Sequence, residues 1–358
     1  MPDINLFSPG RIGDLQVPNR IIMAPMTRNR ASFDNVPSAI AIEYYAQRAS
    51  AGLIITEGTA PSTTGIGYVR TPAIENQAQT AVWKQITDAV HAKGGRMFLQ
   101  LMHVGRVGNL ANRPSQEPFV APSAIRCPGQ IMTDAGLQDF STPRALETSE
   151  VSKVIDEYAK ATRNAFLAGF DGVQLHAASG YLPMQFLSSG TNKRTDKYGG
   201  GAQNRIRFVL ETLDAMIAAA GSPSRVSLKI SPAMQFNDCE DENPVELYST
   251  LVRAVAPMGL AFLHVLQSPP LPNAFDILRP LYPGTFAAVG GFTRESGNAA
   301  LKAGVADFIV YGKLYIANPD LPERFAKGLP LNEWDATTFY QGGTRGYIDY
   351  PTYSANAV

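Results

Sequence analysis

The sequence predicts an α/β protein, a (β/α)8 TIM barrel with an N-terminal hairpin cap and a long loop excursion after strand 3. Three observations lead there. Short apolar runs rich in β-branched residues recur eight times, helix-periodic segments separate most of them, and polar residues gather where the runs end. Strands that alternate with helical crossovers form parallel sheets, and eight of them can close a barrel.

The runs, in order, are NRIIMAP (19–25), GLIITEG (52–58), RMFLQLMH (96–103), GVQLHA (172–177), VSLKISP (226–232), LAFLHVL (260–266), FAAVGG (286–291) and DFIVYGK (307–313). Helical periodicity falls at 39–50, 80–93, 149–168, 202–219, 244–257 and 294–303, several times behind a Ser, Thr or Asn cap. A minimal barrel takes roughly 250 residues. The chain has 358, and the surplus has three homes. LFSPGRIGDLQVPNR carries turn signals between short apolar stretches and reads as a hairpin under the barrel. Residues 104–147, rich in Pro, Gly and Ser, follow the third strand and extend over the top. Residues 329–358 form an aromatic-rich tail ending in GYIDYPTY. No linker or charge block divides the chain, which reads as one domain over 1–358.

Lys+Arg and Asp+Glu both total 31, which leaves no net field for nucleic acid or an anionic membrane surface. A small neutral partner is expected instead. Cys127 and Cys239 stand far apart in no metal-type spacing, so neither a disulfide framework nor a metal site is expected. The first residues lack the basic start and apolar core of a secretory leader, and no segment reaches the ~18 apolar residues of a membrane span. A soluble cytoplasmic protein, monomer or homodimer, is the expectation.

In such barrels chemistry sits at the C-terminal ends of the strands. Thr27 follows the first run, Glu57 and Gly58 close the second, Gln100 and His103 the third, and His176 the fourth. Lys229 lies in the fifth, His264 in the sixth, and Gly290-Gly291 and Gly312-Lys313 end the last two. Glycines there let backbone N–H groups approach a phosphate. No G-x-G-x-x-G opens a strand–helix unit, so a separate dinucleotide-binding domain is not expected.

NRIIMAPMTR, EYYAQRASAGLIITEG, QLMHVGR, GFDGVQLHAASGYL followed by TNKRTDKYGG and NR, GKLYIANPDLPERF and GYIDYPTY occur in this order. Through them the chain resembles the old yellow enzyme family of flavin-dependent ene-reductases along nearly its whole length. The resemblance implies non-covalent FMN, NADPH or NADH as reductant, and reduction of a small electrophilic alkene by a ping-pong mechanism. It implies that Ala24, Pro25, Thr27, Gly58, Gln100, His176, Lys229, Gly291, Gly312 and Lys313 contact the flavin, and that Tyr68, Met102 and Tyr350 line the substrate cavity. His176 and Ser179 would hold the substrate oxygen, and Tyr181 would supply the proton. His103, with Arg106, is expected to orient the third loop, His91 to suit a helix end, and His264 to be a possible substrate contact.

The chain departs from the family pattern at four positions. Ser179 stands where Asn or His is usual, Met102 where Trp is usual, and Lys229 and Lys313 where Arg is common. These departures leave other readings open: an isomerase of the same fold, a Schiff-base aldolase-type barrel using Lys229, or a flavin binder without turnover.

Overall fold

The computed structural model describes residues 4–353. Residues 1–3 and 354–358, parts of the expected domain and tail, lie outside the described residues. Each expected run contains one barrel strand: β1 (Ile21–Met23), β2 (Leu53–Ile55), β3 (Met97–Leu101), β4 (Gly172–Ala177), β5 (Val226–Ile230), β6 (Phe262–Leu266), β7 (Phe286–Val289) and β8 (Phe308–Tyr311). All neighbours pair in parallel, and β8 pairs with β1 to close the barrel. Parallel neighbours need a crossover. The helices α1 (Ile40–Gln47), α2 (Gln77–His91), α3 (Thr148–Leu167), α4 (Arg207–Ala220), α5 (Pro244–Val255), α6 (Ala274–Leu278), α7 (Arg294–Lys302) and α8 (Leu321–Lys327) follow the strands in turn.

The helices obey local signals. Asn76 caps α2 by accepting from the Gln79 N–H, while the Gln79 side chain accepts from the Asn76 N–H. One expectation needs correction, and one helix has no sequence signal. The helix over 202–219 is broken at Ile206 into Ala202–Arg205 and α4, where the Arg205 guanidinium is drawn to the Leu187 carbonyl (2.7 Å) and Asp241 (2.9 Å). The five-residue α6 is too short to show a period.

Strand residues point alternately inward and outward. Ile22, Ala24, Leu53, Ile55, Phe98, Phe262, Ala287, Phe308 and Val310 form one interior cluster, which Ile12 and Val17 join from a hairpin of Gly10–Ile12 and Leu15–Val17. The hairpin thus plugs the barrel, as its turn signals suggest. Ile21, Met23, Ile54, Leu99, Val173 and Leu175 belong instead to the cluster shared with the helices. The excursion contributes a second hairpin, Gln130–Thr133 with Gly136–Asp139. Its Ile131 packs with Phe119, Phe140, Met102 and Tyr181 in a separate cluster.

The tail is held by stacked cations and rings. Tyr347 stacks on Tyr44 at 4.0 Å and 5°. Arg28, Arg30 and Arg48 lie over these two rings and donate to tail carbonyls including Phe339, Gly346 and Tyr347. Each guanidinium keeps its planar set of donors filled while its face meets a ring.

Gly172 shows how tightly the interior is filled: a β-carbon there would lie 2.3 Å from Phe98 Cζ. Gly172→Ala is expected to destabilise the fold by about 1–3 kcal/mol through overpacking. Urea unfolding monitored by circular dichroism checks it, and an unchanged midpoint would show that the Phe98 ring can step aside.

Candidate active site

Two positions beyond the apolar interior layer, the inward-facing side chains become polar. Gln100 follows Phe98 on β3, Gln174 follows Gly172 on β4, and His264 follows Phe262 on β6. Gln100 and Gln174 are register partners, as are His176 with Lys229 and Lys229 with His264. Gln100 Nε2 donates to Gln174 Oε1 at 2.9 Å, and Gln174 Nε2 lies 3.3 Å from Ser227 Oγ and 3.4 Å from His264 Nδ1. His264 Nε2 is buried without a hydrogen-bond partner. This histidine is 0% exposed and sits inside the barrel beside Lys229, which explains it as part of the polar layer without recourse to substrate.

Lys229 carries the site's charge. It is 8% exposed and, among the described residues, takes part in no ion pair. Burial pushes its ammonium down to about 8. A buried cation without a counter-charge is costly unless a ligand supplies acceptors. Burial, then Lys229, then His264 hold His176 well below the usual histidine range. His176 Nδ1 faces the Ala178 N–H at 3.3 Å; accepting from it leaves the ring hydrogen on Nε2. The ring is a neutral donor.

The segment after β4 turns sharply. Ser179 and Gly180 both have positive φ, 57° and 74°. The Ser179 N–H donates to Ser231 Oγ (2.9 Å) and its carbonyl accepts from Asn237 Nδ2 (2.9 Å), whereas its hydroxyl makes no hydrogen bond among the described residues. The turn delivers Tyr181 against His176, ring centroids 5.0 Å apart at 77°, with Tyr181 Oη donating to Tyr68 Oη at 3.2 Å. Burial, and then Tyr68, push the Tyr181 phenol well above its usual range, so it keeps its proton at neutral pH.

On the far side, Gly291, Gly312 and Lys313 border a cavity of ≈ 730 Å³ that also meets Val289, Arg294 and Trp334. Among the described residues, the backbone N–H groups of Gly290, Gly291 and Gly312 donate to no protein acceptor. Lys313 is exposed, its Nζ 6.0 Å from the Trp334 ring centroid. Ala24 is in the interior cluster, and Pro25 and Thr27 are half-buried just beyond it. Gly58 and Met102 are in contact: a β-carbon on Gly58 would lie 2.5 Å from Met102 Sδ. Unassigned donors beside a lone buried ammonium, and open backbone N–H groups across the barrel mouth, fit a planar heterocycle bearing one phosphate.

His91, His103 and Tyr350 each have a protein partner. His91 pairs with Asp171 at 2.9 Å, and His103 Nδ1 accepts from the Gly105 N–H, which fixes the third loop. Tyr350 Oη accepts from the Asp335 N–H. Burial raises the Tyr68 and Tyr181 phenols, and Tyr340, in the tail, adds a lesser push in the same direction. Sequence reasoning missed Tyr340 and Asn237. No local sequence pattern announces either residue.

Residues 5–332 match the NADH:flavin oxidoreductase / NADH oxidase family. The chain is 42% identical to 12-oxophytodienoate reductase 1 of Oryza sativa subsp. japonica, over 97% of this chain and 93% of that one. It is 39% identical to 12-oxophytodienoate reductase 2 of Arabidopsis thaliana, over 99% and 97%. Among solved structures, morphinone reductase superposes with a TM-score of 0.94 at 42% identity, covering 99% of this chain and 98% of that one. The old yellow enzyme homologue from Zymomonas mobilis gives 0.93 at 40% identity, covering 97% and 99%. With eight parallel strands closed in the same way and a polar layer suited to a flavin, this chain belongs to the old yellow enzyme family of FMN-dependent NAD(P)H oxidoreductases.

Proposed function

We propose that this site reduces C=C bonds conjugated to a carbonyl or nitro group, with NAD(P)H and the alkene using one face of the barrel mouth in turn. The observation that carries the reading is the pairing, on one short turn, of a neutral His176 donor with a Tyr181 phenol that keeps its proton.

Lys229, Gln100 and Thr27 would hold the isoalloxazine ring, with Ala24, Pro25, Gly58 and His176 along it, and Gly291, Gly312 and Lys313 would take the phosphate. When bound, FMN supplies hydride chemistry, accepting from NAD(P)H and giving to the alkene β-carbon. In this reading Lys229 serves as a charge, not as the amine nucleophile of a Schiff base. His176 Nε2–H, helped by the Ser179 hydroxyl, polarises the substrate oxygen as charge builds there. Tyr181 gives its proton to the α-carbon. Tyr68, Met102 and a tail aromatic, Tyr340 or Tyr350, close the substrate's surroundings. Net isomerisation would consume no NAD(P)H, so bleaching of the flavin by NAD(P)H and its recovery with an enone distinguishes reduction from isomerisation and from inert binding.

Three outcomes follow. Tyr181→Phe is expected to slow enone-driven flavin reoxidation by roughly 10²–10⁴ while leaving reduction by NAD(P)H nearly intact. Equal loss in both half-reactions, followed by stopped-flow absorbance, would mark the tyrosine as structural. Ser179→Asn should reduce a small cyclic enone about tenfold faster or more, since one stronger donor to a developing oxyanion is worth roughly 1–3 kcal/mol. Asparagine also tolerates the left-handed backbone found there. No gain in rate or in phenolate affinity would mean that the serine is not a weakened donor.

The third outcome concerns pH. In the apoprotein Lys229 is charged below about 8 and loses its proton as pH rises through that value. FMN affinity should therefore be flat near neutrality and fall above about pH 8 by up to roughly tenfold per pH unit. Fluorescence titration of apoprotein tests this, and Lys229→Met should bind more weakly with the pH dependence gone. A parent enzyme whose affinity is level to about pH 10 would contradict the assignment.

A further inference from the structure

Asn237, in the loop after β5, touches the loops after β3 and β4. It lies beyond β5 in the left-handed region (φ 58°), followed by Asp238 in the same region (φ 55°). Two successive non-glycine residues there need outside support. Arg106, from the loop after β3, provides it: Nη2 donates to the carbonyls of Asn237 (2.9 Å) and Asp238 (2.8 Å), and Cys127 Sγ lies 3.7 Å from the same Asn237 carbonyl. The side chain turns toward the loop after β4, where Nδ2 donates to the Ser179 carbonyl at 2.9 Å. The contact there is close, since a β-carbon on Gly180 would lie 2.5 Å from the Phe236 carbonyl oxygen and 2.7 Å from Asn237 Cβ. The carboxamide also favours charge on the Tyr68 phenol, against the burial that pushes that phenol up.

We propose that Asn237 is a positioning residue for proton transfer, its carboxamide tying the Ser179–Gly180–Tyr181 turn to the loop after β5 and so setting where Tyr181 Oη stands relative to Tyr68 and His176. The proposal rests on the reading of Tyr181 as proton donor. It gives the chain's left-handed Asn-Asp pair a purpose: the bend presents the carboxamide to Ser179 while the carbonyl faces Arg106.

The test separates backbone from amide. Asn237→Gly accepts the same φ but removes the carboxamide, and Asn237→Asp accepts it while turning a carboxylate on the Ser179 carbonyl. In FMN-loaded full-length enzyme, Asn237→Gly should slow enone-driven reoxidation about 10- to 50-fold, with FMN content and reduction by NAD(P)H within twofold of the parent. In a Tyr181→Phe background the same change should add less than about twofold, because both act on one step. Should the glycine variant fail to load FMN, Asn237→Asp is carried through the same cycle with the same expectation. Reoxidation at the parent rate, equal loss in both half-reactions, or an undiminished effect in the Tyr181→Phe background would each overturn the proposal. A Tyr181→Phe single variant that reoxidises at the parent rate would instead remove the proton-donor reading beneath it.

Discussion

Closure of the barrel forces every second strand residue into a shared interior, and the rest of the molecule is arranged around what that interior can hold. Phe98, Phe262 and Phe308 fill one layer with rings, leaving no room for a side chain at Gly172. The next inward positions hold Gln100, Gln174 and His264, which bond largely to one another. Register then brings His176, Lys229 and His264 into a row across β4, β5 and β6. The site's polarity therefore follows from the pleat: apolar at the plugged end, then neutral amides, imidazoles and one ammonium toward the C-terminal ends of the strands.

That single ammonium organises the electrostatics. Among the described residues no carboxylate pairs with Lys229, so its charge acts on neighbours instead of being cancelled. It helps keep His176 neutral, and a neutral imidazole can donate from Nε2 without repelling a cation nearby. Pairing Lys229 with a carboxylate would quench its attraction for an electron-rich ring and let His176 charge more readily. The fold places the lysine among the polar side chains rather than in the apolar layer.

Much of this was legible in the sequence because it is periodic. Eight apolar runs gave eight strands, and the polar residues ending them gave Gln100, His176 and Lys229, since position along a strand dictates position in a barrel. What escaped was aperiodic. The Arg28, Arg30 and Arg48 clamp on Tyr44 and Tyr347 joins segments about 300 residues apart through ring faces and carbonyls, which no local pattern announces. Asn237 and Tyr340 escaped for the same reason. The interruption at Ile206, whose own backbone stays right-handed helical (φ −74°, ψ −16°), is likewise invisible to helix periodicity.

Serine is an unexpected residue at a left-handed position, where asparagine, aspartate or histidine is favoured. The turn nevertheless keeps its shape, because both backbone polar groups of Ser179 are satisfied from the β5 side, one by Ser231 and one by Asn237. Held from outside, the turn does not need its own side chain as a brace. Residue 179 can then change what it offers to a substrate oxygen without moving Tyr181, two residues on. In the proposed mechanism one short turn thus carries two separately adjustable parts: oxygen recognition varies with the side chain at 179, and proton delivery is set by the loop after β5. A departure from the family's usual donor can persist in such a turn, because it alters the preferred acceptor and leaves the proton's path in place.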